Sequence, residues 1–183
     1  MSPVAARALA ERLLAAPMPE RWRHVGAVAE AAERTGSALS LDTDVLVAAA
    51  WLHDIGYSPA LADTGFHPLD GARYLRDLGW ETGVVQLVAH HSGAVIEAEE
   101  RGLRSELLAE FPVEPSLSMD ALWYCDMTTG PDGQTVSVEE RLAEIRARYG
   151  PGDVVTQFVE RAEPELIDTV RRVEEQLAIA QSR

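Results

Sequence analysis

From Val45 to Leu52 every residue is apolar, in the order Val, Leu, Val, three Ala, Trp, Leu. An amphipathic surface helix would interrupt such a run with a polar stripe every three or four residues. A segment that is hydrophobic all round belongs in an interior. The pattern predicts a buried central helix, with Asp42 as N-cap and Asp44 as a first-turn carboxylate that the helix dipole favours. Gly56 is placed to end it one turn after His53 and Asp54. That polar pair is thereby carried into the core, where an isolated charge is costly unless it is paired, hydrogen-bonded or bound to a metal.

The periodicity is helical on either side of this run. Ser2 and Pro3 suit a cap and first position, and Ala5, Leu9 and Leu13 follow at helical spacing. After Pro17, a second helix is expected from about Pro19 to Thr35, stopped by Gly36, with Trp22, Val25, Ala29 and Ala32 on one face and His24 as its one imidazole. Residues 57–68, YSPALADTGFHP, form an irregular connection, followed by a short helix with His67 at its start, Pro68 in its first turn and Gly79 at its end. The next helix runs from Glu81 to His91. Val84, Leu87, Val88 and His91 fall at i, i+3, i+4 and i+7, which puts His91 on the apolar stripe and His90 one position round.

Residues 94–110 are charged and contain Gly102, so they read as a solvated helix or helical excursion. Met119, Leu122, Trp123 and Asp126 repeat the i, i+3, i+4, i+7 spacing and place Asp126 on an apolar face. After the loop at 128–135, Ser137 and Glu140 form a capping box for a helix with Val138, Leu142, Ile145 and Tyr149 on one side. Gly150 and Pro151 end it. Two final helical segments, split at Pro164, carry Leu166, Val170, Val173 and Leu177. There is no strand alternation, repeat or low-complexity tract. The expectation is an all-α helical bundle, a single domain over 1–183, with a core at about 19–129 and C-terminal helices at 138–181 packing on it.

Composition narrows the class. A chain of 183 residues that is 46% hydrophobic can bury a substantial core. A formal net charge of -14 argues against a partner that is a nucleic-acid polymer, which calls for a basic field. It leaves room for a nucleotide-sized substrate, because a metal can supply local positive charge. One cysteine, Cys125, allows neither an intrachain disulfide nor a cysteine-rich zinc site, and reads as a small core residue. The N-terminal segment has dispersed charges, and no run is long enough to span a membrane. A cytoplasmic location is expected; the oligomeric state is left open.

Three polar positions therefore fall where periodicity demands core: the His53–Asp54 pair, His91 and Asp126, with His24 and His67 on neighbouring elements. Singly, each reads as an ordinary hydrogen-bonded core residue or cap. Together they leave several buried polar groups without evident partners. Imidazole and carboxylate donors drawn from separate helices suit a divalent metal such as manganese, iron, cobalt, nickel or zinc.

The order His24, then His53-Asp54, then Asp126 resembles the H…HD…D signature of the HD-domain superfamily of metal-dependent phosphohydrolases, and WLHDIG (51–56) is similar to its central motif. The resemblance covers most of the chain between His24 and Asp126. It implies that His24, His53, Asp54 and Asp126 hold one metal. FHPLDGA (66–72) resembles the HP-x-x-GA segment of branches that bind a second metal, and AHHSG (89–93) their histidine stretch. That implies His67 and His91 as further ligands, with His90 as the alternative of the adjacent pair, and Asp54 bridging. Tyr57 stands where cyclic-dinucleotide-cleaving relatives have lysine, and HHSGA lacks their following glutamate, which disfavours that activity.

The implied reaction is hydrolysis of a phosphate ester or anhydride of a small, nucleotide-like substrate by metal-activated water, with one or two divalent ions as cofactors. Two such ions carry four positive charges against two from Asp54 and Asp126, leaving a centre that attracts phosphate. Asp54, His67 and His91 are the candidate catalytic residues and Arg141 a candidate phosphate contact. The same ligand set also resembles the superfamily's di-iron oxygenases. A silent ligand-binding or regulatory domain is the third alternative.

Overall fold

A computed structural model describes residues 2–182, and their fold is all-α. Helix α1 (Pro3–Ala10) runs into a π turn at Glu11–Ala15 and is followed by α2 (Pro19–Leu39) and α3 (Thr43–Leu52). Then come α4 (His67–Asp77), α5 (Thr82–Ala89), α6 (Ala94–Glu100), α7 (Arg104–Glu110), α8 (Leu117–Met127), α9 (Val138–Tyr149) and α10 (Val154–Gln181). Among the described residues no helix is long and apolar enough to cross a membrane.

Helix α3 is the element the others surround, packing against α1, α2, α5 and α8. Leu46, Val47, Ala48, Ala49, Ala50 and Leu52 are all buried. The Asp42 carboxylate accepts from the Val45 amide at 3.2 Å, as the sequence predicts for its N-cap. A second apolar cluster joins Trp123 and Met127 of α8 to Leu142 of α9 and to Phe158, Val159, Leu166 and Val170 of α10. The capping box between Ser137 and Glu140 is present and fixes the start of α9.

Four boundaries differ from the sequence expectation. Helix α2 does not stop at Gly36 but continues to Leu39. Gly36 lies inside it, where a Cβ would sit 3.0 Å from the Thr43 hydroxyl, so this glycine serves the close approach of α3. The stop is Ser40, in left-handed conformation at φ 56°. Helix α3 ends at Leu52, and Asp54 leads into a 3-10 turn at Ile55–Tyr57. Helix α5 ends at Ala89, before either histidine. The two segments expected around Pro164 form one continuous helix; Pro164 is exposed, and its missing N–H is tolerated on the solvent side. Residues 94–110, read as a solvated excursion, form two helices that bury Glu97, Ala98 and Leu107.

Candidate metal centre

Four imidazoles and two carboxylates from five parts of the chain converge at the C-terminal end of α3. One group comprises His24 of α2, His53 at the end of α3 and Asp126 of α8; the other comprises Asp54, His67 at the start of α4 and His91 after α5. Within each group one donor atom per residue lies within 4.8 Å of the others, and all six residues are buried. The groups adjoin through the His53–Asp54 step, where His53 Nε2 lies 3.6 Å from Asp54 Oδ2 and 3.8 Å from Asp126 Oδ1.

Backbone carbonyls set the imidazole tautomers. His53 Nδ1 donates to the Ala50 carbonyl at 2.7 Å, His91 Nδ1 to Val88 at 2.7 Å and His24 Nδ1 to Gly130 at 3.1 Å. A carbonyl only accepts, so in each neutral ring Nδ1 carries the proton and Nε2 presents a lone pair to the centre. His53 Nε2 is buried without a hydrogen-bond partner. A lone pair facing two carboxylates with no donor between them calls for a cation. This orphan atom, with the mixed imidazole and carboxylate donors, fits a divalent metal. His67 Nε2 and His91 Nε2 approach each other at 3.0 Å, and His67 Nε2 lies 3.5 Å from Asp54 Oδ1, so the second group converges in the same way.

Burial would raise the Asp54 carboxyl, but Arg21, with Nη1 at 2.7 Å, and then His53 overcome it and hold it well below the usual carboxylate range. Burial likewise opposes ionisation of Asp126, yet the His24 ring, with Nε2 at 3.0 Å, and the neighbouring His53 hold it low. Both carboxylates are thus charged at neutral pH. Desolvation pushes His67 and His91 below the ordinary imidazole range, keeping their nitrogens free of a second proton. Desolvation also raises the Cys125 thiol to about 12, consistent with an inert core residue.

A family model for the HD domain matches residues 21–129, more than half the chain. The chain belongs to the HD-domain family. The match opens three residues before His24 and closes three after Asp126, spanning all six converging side chains. The family is mostly one of metal-dependent hydrolases. No curated protein and no solved structure matches the chain.

Of the seven residues that the sequence offered as ligands of the HD centre, His90 is the one left out. It is buried all the same. Its Nε2 donates to the Phe111 carbonyl at 2.8 Å, away from both groups. The separation of His90 from His91 arises because α5 has already ended and His90 has left helical geometry, at φ -122° and ψ 16°. Arg141, the candidate phosphate contact, is buried, with Nη2 at 4.0 Å from Asp126 Oδ1.

Four neighbours escaped the sequence reading. Arg21 precedes His24 by one turn on α2, and that i, i+3 spacing was a usable signal. Tyr57 stacks on His67 with centroids 3.8 Å apart. Ser92, a non-glycine residue at φ 46°, donates its hydroxyl to Asp126 Oδ2; its backbone conformation leaves no sequence signal. Gly130 supplies the carbonyl that holds His24.

Proposed function

We propose that this HD-domain protein hydrolyses a phosphate ester or anhydride of a small, nucleotide-like molecule. The observation that supports the reading most is the pair of adjoining His/Asp groups beside a pocket lined by Asp54, His67, His91 and Asp126, whose wall also contains Arg21, Arg141 and Arg148. His24, His53 and Asp126 are assigned to one divalent ion, and Asp54, His67 and His91 to a second. The donor types suit manganese, iron, cobalt, nickel or zinc. When bound, such ions polarise a phosphoryl oxygen and acidify water at neutral pH.

The chain's own residues do the rest. The carbonyls of Ala50, Val88 and Gly130 keep three imidazoles in the tautomer that offers Nε2 inward. Asp54, with Oδ1 toward His67 and His91 and Oδ2 toward His53 and Arg21, is placed to orient an attacking water between the two groups. Ser92 fixes Asp126 Oδ2 and so leaves Oδ1 for His24 and His53. The arginines face the pocket in which a phosphoryl group gains negative charge as it reacts.

The test is turnover of a panel of phosphomonoesters, diesters and dinucleotides by protein loaded separately with each metal. Release of phosphate with at least one metal, abolished by Asp54→Ala, is the expected result. An inactive panel combined with bound iron and substrate-dependent oxygen uptake would replace this reading with an oxygenase.

A further inference from the structure

Two spaces meet at the metal centre. The inner one, of about 70 Å³, lies between Asp54, His67, His91 and Asp126 and the apolar side chains Phe158 and Leu166 of α10. The outer one, of about 480 Å³, lies between Met18 and Pro19 at the start of α2 and Pro131 in the loop after α8. Arg21, Arg141, Arg148 and Tyr149 belong to the walls of both.

The three guanidinium groups are held in place by carboxylates. Arg141 Nη1 and Arg148 Nη2 grip Glu144 from either side, each at 2.6 Å, and Arg21 is held by Asp54. Their positive charge exceeds what Glu144 alone offsets on α9. Arg141 Nε is buried and has no hydrogen-bond acceptor, although its side chain is only 6% exposed. A buried N–H without an acceptor is costly, and its place in a wall shared by two spaces marks it for a ligand oxygen. All 16 cationic side chains of the chain are arginine, so phosphate recognition by a positive side chain falls to guanidinium, which binds phosphate through paired N–H donors.

We propose that Arg21, Arg141 and Arg148 form a doorway that passes the phosphoryl group of a phosphomonoester into the inner space while its one organic substituent stays in the outer cleft. The proposal rests on the hydrolase reading and names its substrate class. The outer cleft falls within the roughly 300–1,000 Å³ typical of small-molecule sites, and the inner space is far below it. A phosphodiester would have to bring a second organic group past the arginines, against a wall of Phe158 and Leu166 that has no room for it. In the reaction the oxygen of water forms the new bond to phosphorus and the bond from phosphorus to the ester oxygen breaks. The departing oxygen takes up a proton, and an alcohol and inorganic phosphate are released.

The test uses the full chain loaded with metal, in the parent, Arg148→Met and Arg172→Met forms. Arg148 is the doorway residue that touches neither His/Asp group, and methionine keeps most of its aliphatic stem. Arg172 pairs with Asp120 away from the site and serves as control. Inorganic phosphate binding is measured by calorimetry, and hydrolysis with p-nitrophenyl phosphate and bis(p-nitrophenyl) phosphate. Phosphate should bind the parent and the Arg172 variant alike and bind Arg148→Met about tenfold more weakly, the loss expected for one charged hydrogen bond. The monoester should be cleaved at least about tenfold faster than the diester, the factor that a difference of only about 1.4 kcal/mol in barrier produces. Equal phosphate affinity in Arg148→Met, no phosphate binding at all, or a diester cleaved as fast as the monoester overturns the proposal. Arginine-dependent phosphate binding with neither these esters nor any member of the phosphomonoester, diester and dinucleotide panel cleaved overturns the hydrolase reading and supports the doorway.

Discussion

The Tyr57 ring lies on the His67 imidazole with centroids 3.8 Å apart and planes 17° from parallel. The Arg21 guanidinium carbon is 3.8 Å from the centroid of the same Tyr57 ring. Two planar groups this close to one centroid must occupy opposite faces, so guanidinium, phenol and imidazole form a three-layer stack. The stack ends at Asp54, which Arg21 contacts at 2.7 Å and His67 at 3.5 Å.

Replacing Tyr57 with leucine should therefore loosen the second His/Asp group and leave the first intact. Removing a side chain that orients a ligand typically costs about 10–100-fold in metal affinity. In a calorimetric metal titration, one of two binding steps should shift by that order in Tyr57→Leu while the other stays in place. Tyr57→Phe, which keeps the ring, should titrate like the parent. A uniform shift of both steps would mean that the stack supports the fold in general rather than His67.

Gly56 has a different task from the one its position after a helical run suggests. A Cβ built there would lie 2.0 Å from the His67 carbonyl oxygen and 2.7 Å from its carbon. Backbone cannot move aside as a flexible side chain can, so Gly56→Ala must displace the start of α4. Overpacking of a filled interior costs about 1–3 kcal/mol and sometimes more, and a backbone clash belongs at the upper end. Urea denaturation should show that loss, and the variant should bind less metal at the Asp54, His67, His91 group. A stability within about 0.5 kcal/mol of the parent, the range of an inconsequential surface change, would contradict this packing.

Much of the fold and of the centre is legible in the amino-acid sequence alone. The all-apolar run at 45–52 announces α3 because burial on every side admits no polar stripe, and the caps at Asp42 and Ser137 follow from side-chain chemistry. His53, Asp54, His91 and Asp126 can be picked out because polar residues on apolar faces are rare and need partners, whereas His24 and His67 are picked out by the resemblance to the H…HD…D signature and the HP-x-x-GA segment. The termini of α2 and α5 are not legible. Gly36 looks the same in sequence whether it ends a helix or admits a neighbouring one, and only the contact with Thr43 decides. The parting of His90 from His91 depends on where hydrogen bonding stops, which adjacent identical residues cannot reveal. Tyr57 and Ser92 are hidden for a further reason: their roles come from packing between distant segments, whereas Arg21 is accessible through its i, i+3 spacing to His24.

Glu97 gives a pH dependence with a definite sign. It lies in the wall of the inner space, paired with Arg101 at 2.7 Å, and desolvation raises its carboxyl above the ordinary value near 4.5 despite that partner. Between the ordinary and the raised value the folded protein holds a proton that the unfolded chain has released. Its stabilising contribution is thus complete below about 4.5 and declines as pH rises toward the folded value. Glu97→Gln has no such titration. Denaturation of both proteins across this range, with chelator present throughout to fix the metal state, should show the parent losing stability relative to Glu97→Gln as pH rises. A constant difference, or one of opposite sign, would contradict a burial cost that Arg101 only partly offsets.

Whether the six converging side chains hold two adjacent metal ions is tested most directly by elemental analysis. Protein purified without chelator, then equilibrated with a divalent metal and freed of excess, should contain about two ions per chain, the stoichiometry of a two-metal phosphoryl-transfer site. His67→Ala should retain about one, at the group of His24, His53 and Asp126. A parent protein that holds no ion after equilibration, or that holds its full complement in His67→Ala, would contradict the two-metal centre.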